Sequence, residues 1–126
     1  GAANARKAEA RFQEQDARLN LERVRRNLIQ SRAQAAALDR TAKSAWQTAI
    51  DELGSAEELL RVTERRFDSG VGTVGDYLEA VERVTEAKIR LGARWLDGLV
   101  AKARYMRHHD ALDQAGIAAL ARQFNE

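Results

Sequence analysis

Apolar and small residues recur along the first half of the chain at Leu21, Val24, Leu28, Ala35, Leu38, Ala42, Ala45, Ala49, Ala56 and Leu59. Their intervals fall on multiples of a 3.5-residue repeat, with gaps at Ser31 and Glu52, which is the spacing of a coiled-coil seam. A second apolar line runs beside the first through Trp46, Ile50, Leu53, Leu60 and Phe67. Two apolar lines on one helix predict two neighbours, one on each side, whereas a two-stranded coiled coil needs only one line. From about Ala5 to Phe67 the only glycine is Gly54, and there is no proline. This predicts one helix of about 60 residues, roughly 90 Å long, and hence a rod-shaped molecule. Gly54 costs about 1 kcal/mol against alanine and predicts either a bend or a close helix contact.

The periodicity stops at Asp68-Ser69-Gly70-Val71-Gly72-Thr73-Val74-Gly75, where three glycines fall within six residues beside Asp and Ser, a turn signal. Thr73 is placed to cap a following helix, and Asp76 occupies the third helical position, where a negative charge suits the helix dipole. The second helix carries two lines as well: Val74, Tyr77, Val81, Val84, Leu91 and Trp95, and beside them Leu78, Ile89, Leu96, Leu99, Ala103 and Met106. It is expected to end near His109, and a short tail helix with apolar Ile117, Leu120 and Phe124 is expected after it. The chain thus divides into a first helix over 1–67, a tip turn over 68–75, a second long helix over 76–111 whose start reaches back to Val74, and a short helix and tail over 112–126. The predicted fold is all-α, a long antiparallel coiled-coil hairpin with a short C-terminal helix.

Composition strengthens this picture. Alanine, the best helix former, occurs 24 times in 126 residues and proline is absent. Aromatic residues are 6% of the chain, too few for an aromatic-rich compact core or a β-sandwich. Without cysteine there is no disulfide framework, thiolate metal site or cysteine nucleophile. Twenty-one basic residues against nineteen acidic leave a net charge of +2, too small to imply a nucleic-acid partner. The basic clusters at Arg23, Arg25 and Arg26 and at Arg104 and Arg107 read as solvated faces. No apolar run is long enough for a membrane-spanning helix. The N-terminal residues lack the apolar core of a signal peptide and a starting methionine, which suggests an excised or processed chain.

The tip carries a specific pattern, Phe67-x-x-Gly70, five further residues, then Asp76-x-Leu78-Glu79-Ala80. It sits between an alanine-rich helix with Ala45-Trp46 and Ala56-Glu57 and a helix with Ala87, Leu91, Ala93, Arg94 and Trp95. In this the chain resembles the TolC family of outer-membrane efflux channels, from about Ala2 to Leu120, and corresponds to the C-terminal helical half of that family's second structural repeat. The resemblance places Gly1 just after the last transmembrane strand and implies a homotrimeric channel in the full-length parent of a Gram-negative bacterium, with strands in an outer-membrane barrel and helices in a periplasmic α-helical barrel. It further implies a periplasmic adaptor (membrane fusion) protein docked on the hairpin tips and an inner-membrane pump that supplies energy. The exported cargo would be drugs, ions or polypeptides, the last as in type I secretion. The expected localisation is the periplasmic part of an outer-membrane protein.

The resemblance assigns Asp76 and Glu79 to a ring of carboxylates at the pore entrance, where such rings favour cations. Three residues apart, the two stack on one helix face. Without the resemblance they read as a dipole-complementing carboxylate and a surface pair of Glu79 with Arg83. Glu79 stands where the family more often has Asp. Phe67, Gly70, Val71, Gly72 and Thr73 form the expected adaptor-docking tip, although Phe67 also ends an apolar line and Gly70 supplies a helix stop. Gly72 stands where relatives can carry a basic or polar gating partner, and Arg65, Arg66 and Arg83 are the nearby substitutes.

His108-His109-Asp110 is not a convincing metal site, because adjacent helical residues point about 100° apart; a cationic cap at a helix C-terminus fits it better. Gly70-x-Gly72-x-x-Gly75 spells a dinucleotide fingerprint but follows a helix and not a strand, so it fails the context that motif needs. No nucleophile has a plausible base, so no enzyme activity and no cofactor is expected. The rival to a channel segment is a soluble coiled-coil interaction scaffold, which would need one apolar line per helix. With one line of each helix uncovered, the chain by itself is expected to self-associate.

Overall fold

The computed structural model describes residues 1–124. They form two helices, α1 (Ala2–Asp68) and α2 (Val74–Phe124), joined by a tight turn, and no strand occurs among the described residues. Local pairs support these lengths. Arg18 reaches Glu14 at 2.9 Å, Lys43 reaches Asp39 at 3.1 Å, and Arg94 reaches Asp97 at 3.0 Å, all spaced three or four residues along a helix. The exposed pairs Arg18–Glu14 and Arg94–Asp97 each contribute only about 0.2–0.5 kcal/mol, so helix–helix packing must supply most of the stability.

Two compact units can be distinguished. One is Ala36–Tyr105; the other is Gly1–Ala35 together with the chain from Met106 onward. In the 36–105 unit the helices are antiparallel. Phe67 meets Tyr77 beside the turn, and Glu52 meets Arg90 further along. Fifteen residues back along α1 thus match thirteen forward along α2. The face of α1 turned inward runs Asp39, Ala42, Trp46, Ala49, Leu53, Ala56, Leu60 and Thr63, at alternating steps of three and four. Its counterpart on α2 runs Tyr77, Ala80, Val84, Ala87, Leu91, Gly98, Ala101 and Tyr105. That is a single heptad seam per helix.

On α1 this seam crosses the two expected lines and coincides with neither; on α2 it takes Tyr77, Val84 and Leu91 from the first expected line and nothing from the second. Trp46, Leu53 and Leu60 come from one α1 line, and Ala42, Ala49 and Ala56 from the other. Leu38 and Leu59 stay 51% and 41% exposed. On α2 the most buried positions are Ala87, Ala80, Val84 and Ala101, of which only Val84 belongs to an expected line, while Leu78, Ile89, Trp95 and Leu96 are exposed. The physical reason is size. Alanine lets two helix backbones approach closely, so the closest contacts go to small residues and not to the most hydrophobic ones. The seam also includes a charge, Asp39, which is 9% exposed and paired to Lys43.

In the other unit Leu28, Ser31 and Ala35 are covered or half-covered, whereas residues 1–27 are exposed throughout, Leu21 and Val24 of the expected seam included. Arg32 Nη2 donates a hydrogen bond to His109 Nδ1 at 3.2 Å. His109 is therefore not a helix C-terminal cap. It lies inside α2, which runs without interruption to Phe124 where a break and a separate tail helix were expected. Residues 110–115 contain neither proline nor glycine, and the single Gly116 is a cost of about 1 kcal/mol that a helix can carry. The side chains of Ile117, Leu120 and Phe124, which defined the expected tail helix, lie outside what the structure describes, as do residues 125–126.

Gly54 does not mark a close contact. A β-carbon added there would meet nothing within 4 Å, and α1 continues through it. No described helix is long and apolar enough to cross a membrane.

Candidate functional site at the hairpin tip

The tip is built by two helix-end motifs placed back to back. At the end of α1 the chain turns through Gly70, whose φ of +77° is open to glycine and strained for other residues. Gly70 N–H donates to Phe67 O at 3.0 Å and Val71 N–H to Arg66 O at 2.9 Å. These are the two crossed bonds of a Schellman C-cap, with Gly70 in the position that requires a left-handed residue. Gly72 N–H and Ser69 Oγ add to the same Arg66 carbonyl at 3.0 and 3.1 Å. The start of α2 is closed by Thr73, whose Oγ1 accepts from Asp76 N–H at 3.0 Å, an N-cap bond.

Gly72 is held by space. A β-carbon there would lie 3.2 Å from Phe67 N and 3.3 Å from both the carbonyl carbon and the β-carbon of Arg66. Two of those atoms are backbone and can yield only if the turn moves. A bulkier residue at position 72 would require the turn to give by a few tenths of an ångström. Gly75 is different, since its added β-carbon would make only an ordinary 3.7 Å contact with Thr73 Oγ1.

Phe67 and Tyr77 bracket the turn and stack on each other, with centroids 5.9 Å apart and ring planes at 27°. Tyr77 was placed from sequence in an apolar line of the second helix, not among the tip residues. A second aromatic on the far side of a glycine turn was the available signal. Val71, 69% exposed, stands at the apex.

Asp76 and Glu79 line one recess of about 320 Å³, together with Arg66, Arg83, Leu59, Thr63, Gly72 and Ala80. The structure brings the two carboxylates together as their spacing predicted. Of the three candidate basic residues, Arg66 and Arg83 share the recess and Arg65 does not line it. Arg83 Nη2 donates to Glu79 Oε1 at 3.0 Å, with both side chains more than half exposed. The recess thus holds two acids, two guanidiniums and an alanine–leucine–threonine wall. Such a group can attract ions of either sign and can exchange partners cheaply, because exposed pairs are worth at most about 1 kcal/mol. The described residues contain no group of three or more His, Cys, Asp or Glu that could hold a metal.

One further electrostatic feature lies along α1 from the tip. Arg61 grips Glu58 with two hydrogen bonds, Nε to Oε2 at 2.8 Å and Nη2 to Oε1 at 2.5 Å. That grip, aided by the charges of Arg61 and Arg65 and opposed by slight desolvation, holds the Glu58 carboxyl below its ordinary range.

Comparison with known proteins bears on the whole hairpin. The family described as "Outer membrane efflux protein" matches residues 1–95, which includes all of α1, the tip and the first part of α2. No curated protein and no solved structure matches the chain significantly. The match covers well over half of the sequence and contains every residue of the tip recess, and on that ground the chain belongs to the outer membrane efflux protein family.

Proposed function

We propose that this hairpin is a wall segment of the periplasmic α-helical tube of a TolC-like export channel, a homotrimer that works with an inner-membrane pump and a periplasmic adaptor. The observation that carries this reading is the uncovered apolar surface beside the seam. In the 36–105 unit the deepest contacts between the two helices are mostly alanine, and Leu78, Ile89, Trp95, Leu96 and Leu99 remain 48–68% exposed. A helix in a tube wall needs such surface for its further neighbours; a two-helix scaffold in solution does not. Family membership supports efflux across the outer membrane as the process. Drugs, ions and polypeptides are all compatible cargo for such a tube.

Asp76 and Glu79 line the entrance of this tube. A threefold axis would bring three copies of each together, and the resulting carboxylate ring would favour cations. Their shared recess at the tip supports this role. The turn formed by Phe67, Gly70, Val71, Gly72 and Thr73 presents a shape fixed by two caps and one aromatic stack, which suits it to dock an adaptor.

The test is ion selectivity in a planar bilayer with the complete channel, comparing wild type with an Asp76→Asn, Glu79→Gln double variant. Cation preference in the wild type and its loss in the variant is the expected result. Unchanged selectivity would reduce both carboxylates to helix-end charges. Failure of the wild type to form any channel would favour the scaffold reading instead.

A further inference from the structure

A polar contact ties the part of α2 beyond Tyr105 to α1. Arg32 Nη2 lies 3.2 Å from His109 Nδ1, across 77 residues of sequence. Both residues belong to the unit made by Gly1–Ala35 and the chain from Met106 onward. Around the contact Leu28, Ser31, His108 and His109 are half-buried and Ala35 is buried, while Arg32 itself is exposed.

The chemistry of the two groups fixes the state of the ring. A guanidinium has N–H donors, no acceptor and a permanent charge. The contact therefore requires a bare lone pair on Nδ1, with the ring proton on Nε2, which is the neutral imidazole. A proton added at Nδ1 removes the acceptor and sets two cations against each other at hydrogen-bond distance. Arg32 makes no ion pair among the described residues, so no carboxylate there offsets its charge. Histidine is the side chain whose ordinary range places this change between about pH 5 and 8. The two histidines of the chain, His108 and His109, both lie in this unit, so the change of side-chain charge falls there and not on the 36–105 unit.

The neighbouring charges leave this logic intact. On α1, residues 28–36 include no titratable group besides Arg32. Arg25, Arg26 and Asp39 lie about two turns away along the helix, and Asp39 is paired to Lys43. On α2, the turn either side of His109 carries Tyr105, Arg107, His108, Asp110 and Asp113. A carboxylate on that stretch would favour the charged ring. It could not restore the bond from Arg32, which needs the Nδ1 lone pair.

We propose that His109 is a pH-sensitive clasp that holds the end of α2 on α1 while its ring is neutral and releases it when the ring takes a proton. This inference does not depend on the channel role or on the ion selectivity of the tip.

Hydrogen exchange of the 126-residue chain, corrected for the intrinsic rate at each pH, reads the clasp. From about pH 8 to about pH 5.5, protection of amides from Met106 onward should fall about fivefold relative to amides of 36–105, the size expected for one exposed contact. His109→Asn should remove this step, because its amide oxygen offers an acceptor at every pH. Arg32→Gln should remove it too, since an amide can donate to the neutral ring and accept from the charged one. His108→Asn should leave the step as in wild type, and circular dichroism of each variant establishes that the helices are intact. The proposal is overturned if the wild type shows no step, if the step survives in either His109→Asn or Arg32→Gln, or if His108→Asn abolishes it.

Discussion

The most deeply buried hydrophobic residues between α1 and α2 in the 36–105 unit, Ala49, Ala80, Val84, Ala87 and Ala101, are mostly smaller than the apolar residues the pair leaves in solvent. Ala87 is 1% exposed and Ala80 2%, whereas Ile89 is 68% exposed and Leu78 59%, all on the same helix. A hairpin evolved to stand alone would reverse this order, because burying a leucine or isoleucine is worth about 1.5–3 kcal/mol and an alanine methyl much less. The arrangement makes sense if the alanine seam fixes the spacing of the pair and the outer rows provide the burial that further helices complete. The seam is then sensitive to added volume, and the outer rows are sensitive to lost area only when something covers them.

The largest effect that could break this comparison comes from exchanging the two kinds of site. Ala87→Leu should destabilise the folded chain by about 1–3 kcal/mol, since the methylenes have no room at a tight contact. Ile89→Ala, two residues away but exposed, should shift stability by no more than about 0.5 kcal/mol. Urea denaturation of the two variants at low concentration measures both. The same Ile89→Ala change, combined with Leu96→Ala, should weaken self-association of the chain in sedimentation equilibrium, whereas Ala87→Leu should not weaken it where the chain remains folded. If Ile89→Ala proves as costly as Ala87→Leu, the outer row is already packed and the contrast collapses.

Much of this fold could be read from the sequence. The absence of proline, the alanine content and the glycine cluster at 70–75 predicted two long helices and the turn between them, and Thr73 and Gly70 predicted the caps that close it. The seam was harder to read. Periodicity arguments weigh residues by hydrophobicity, so they picked Val81, Trp95 and Leu38 and passed over Ala80, Ala101 and Asp39. What decides the close-contact line is how near two backbones can come, and that depends on pairs of small residues on different helices that a single sequence does not align. The end of α2 was misplaced for a related reason. His108-His109-Asp110 looked like a terminus because of its charge, but charge alone does not stop a helix. At the tip the spacing of Asp76 and Glu79 placed both in one recess, while the tightness around Gly72 depends on the backbone of Arg66 and Phe67 and could not be foreseen.

A smaller effect sharpens the comparison by asking how tight the seam is. Gly98 lies in the seam and Gly54 does not, yet an added β-carbon would meet nothing within 4 Å at either position. Gly98→Ala and Gly54→Ala should therefore each stabilise the chain by about 1 kcal/mol, the helix-propensity difference. Gly72→Ala, where the β-carbon would press on backbone, should destabilise instead. Thermal melts of the three variants decide the matter. A loss of stability in Gly98→Ala alone would mean that the seam there is set to glycine and not to alanine dimensions.

The smallest effect concerns the polar surface, which lies outside both the seam and the apolar rows. Arg61 holds Glu58 by two hydrogen bonds on a fully solvated face, and the Glu58 carboxyl is lowered from its ordinary 4.5. Because the folded value lies below the unfolded one, the pair's contribution is present in full above the ordinary glutamate range and is lost as pH falls through the lowered folded value. Solvent screening keeps that contribution small, so the place to detect it is the titration itself. A carboxyl-carbon NMR titration should show Glu58 protonating at lower pH than it does in Arg61→Gln, where it should return toward 4.5 apart from the residual pull of Arg65. Melting temperatures of the two proteins at neutral pH should be nearly the same. If removing one exposed arginine instead lowered stability as much as overfilling the seam at Ala87, surface pairing and not the alanine contact would be holding the hairpin together.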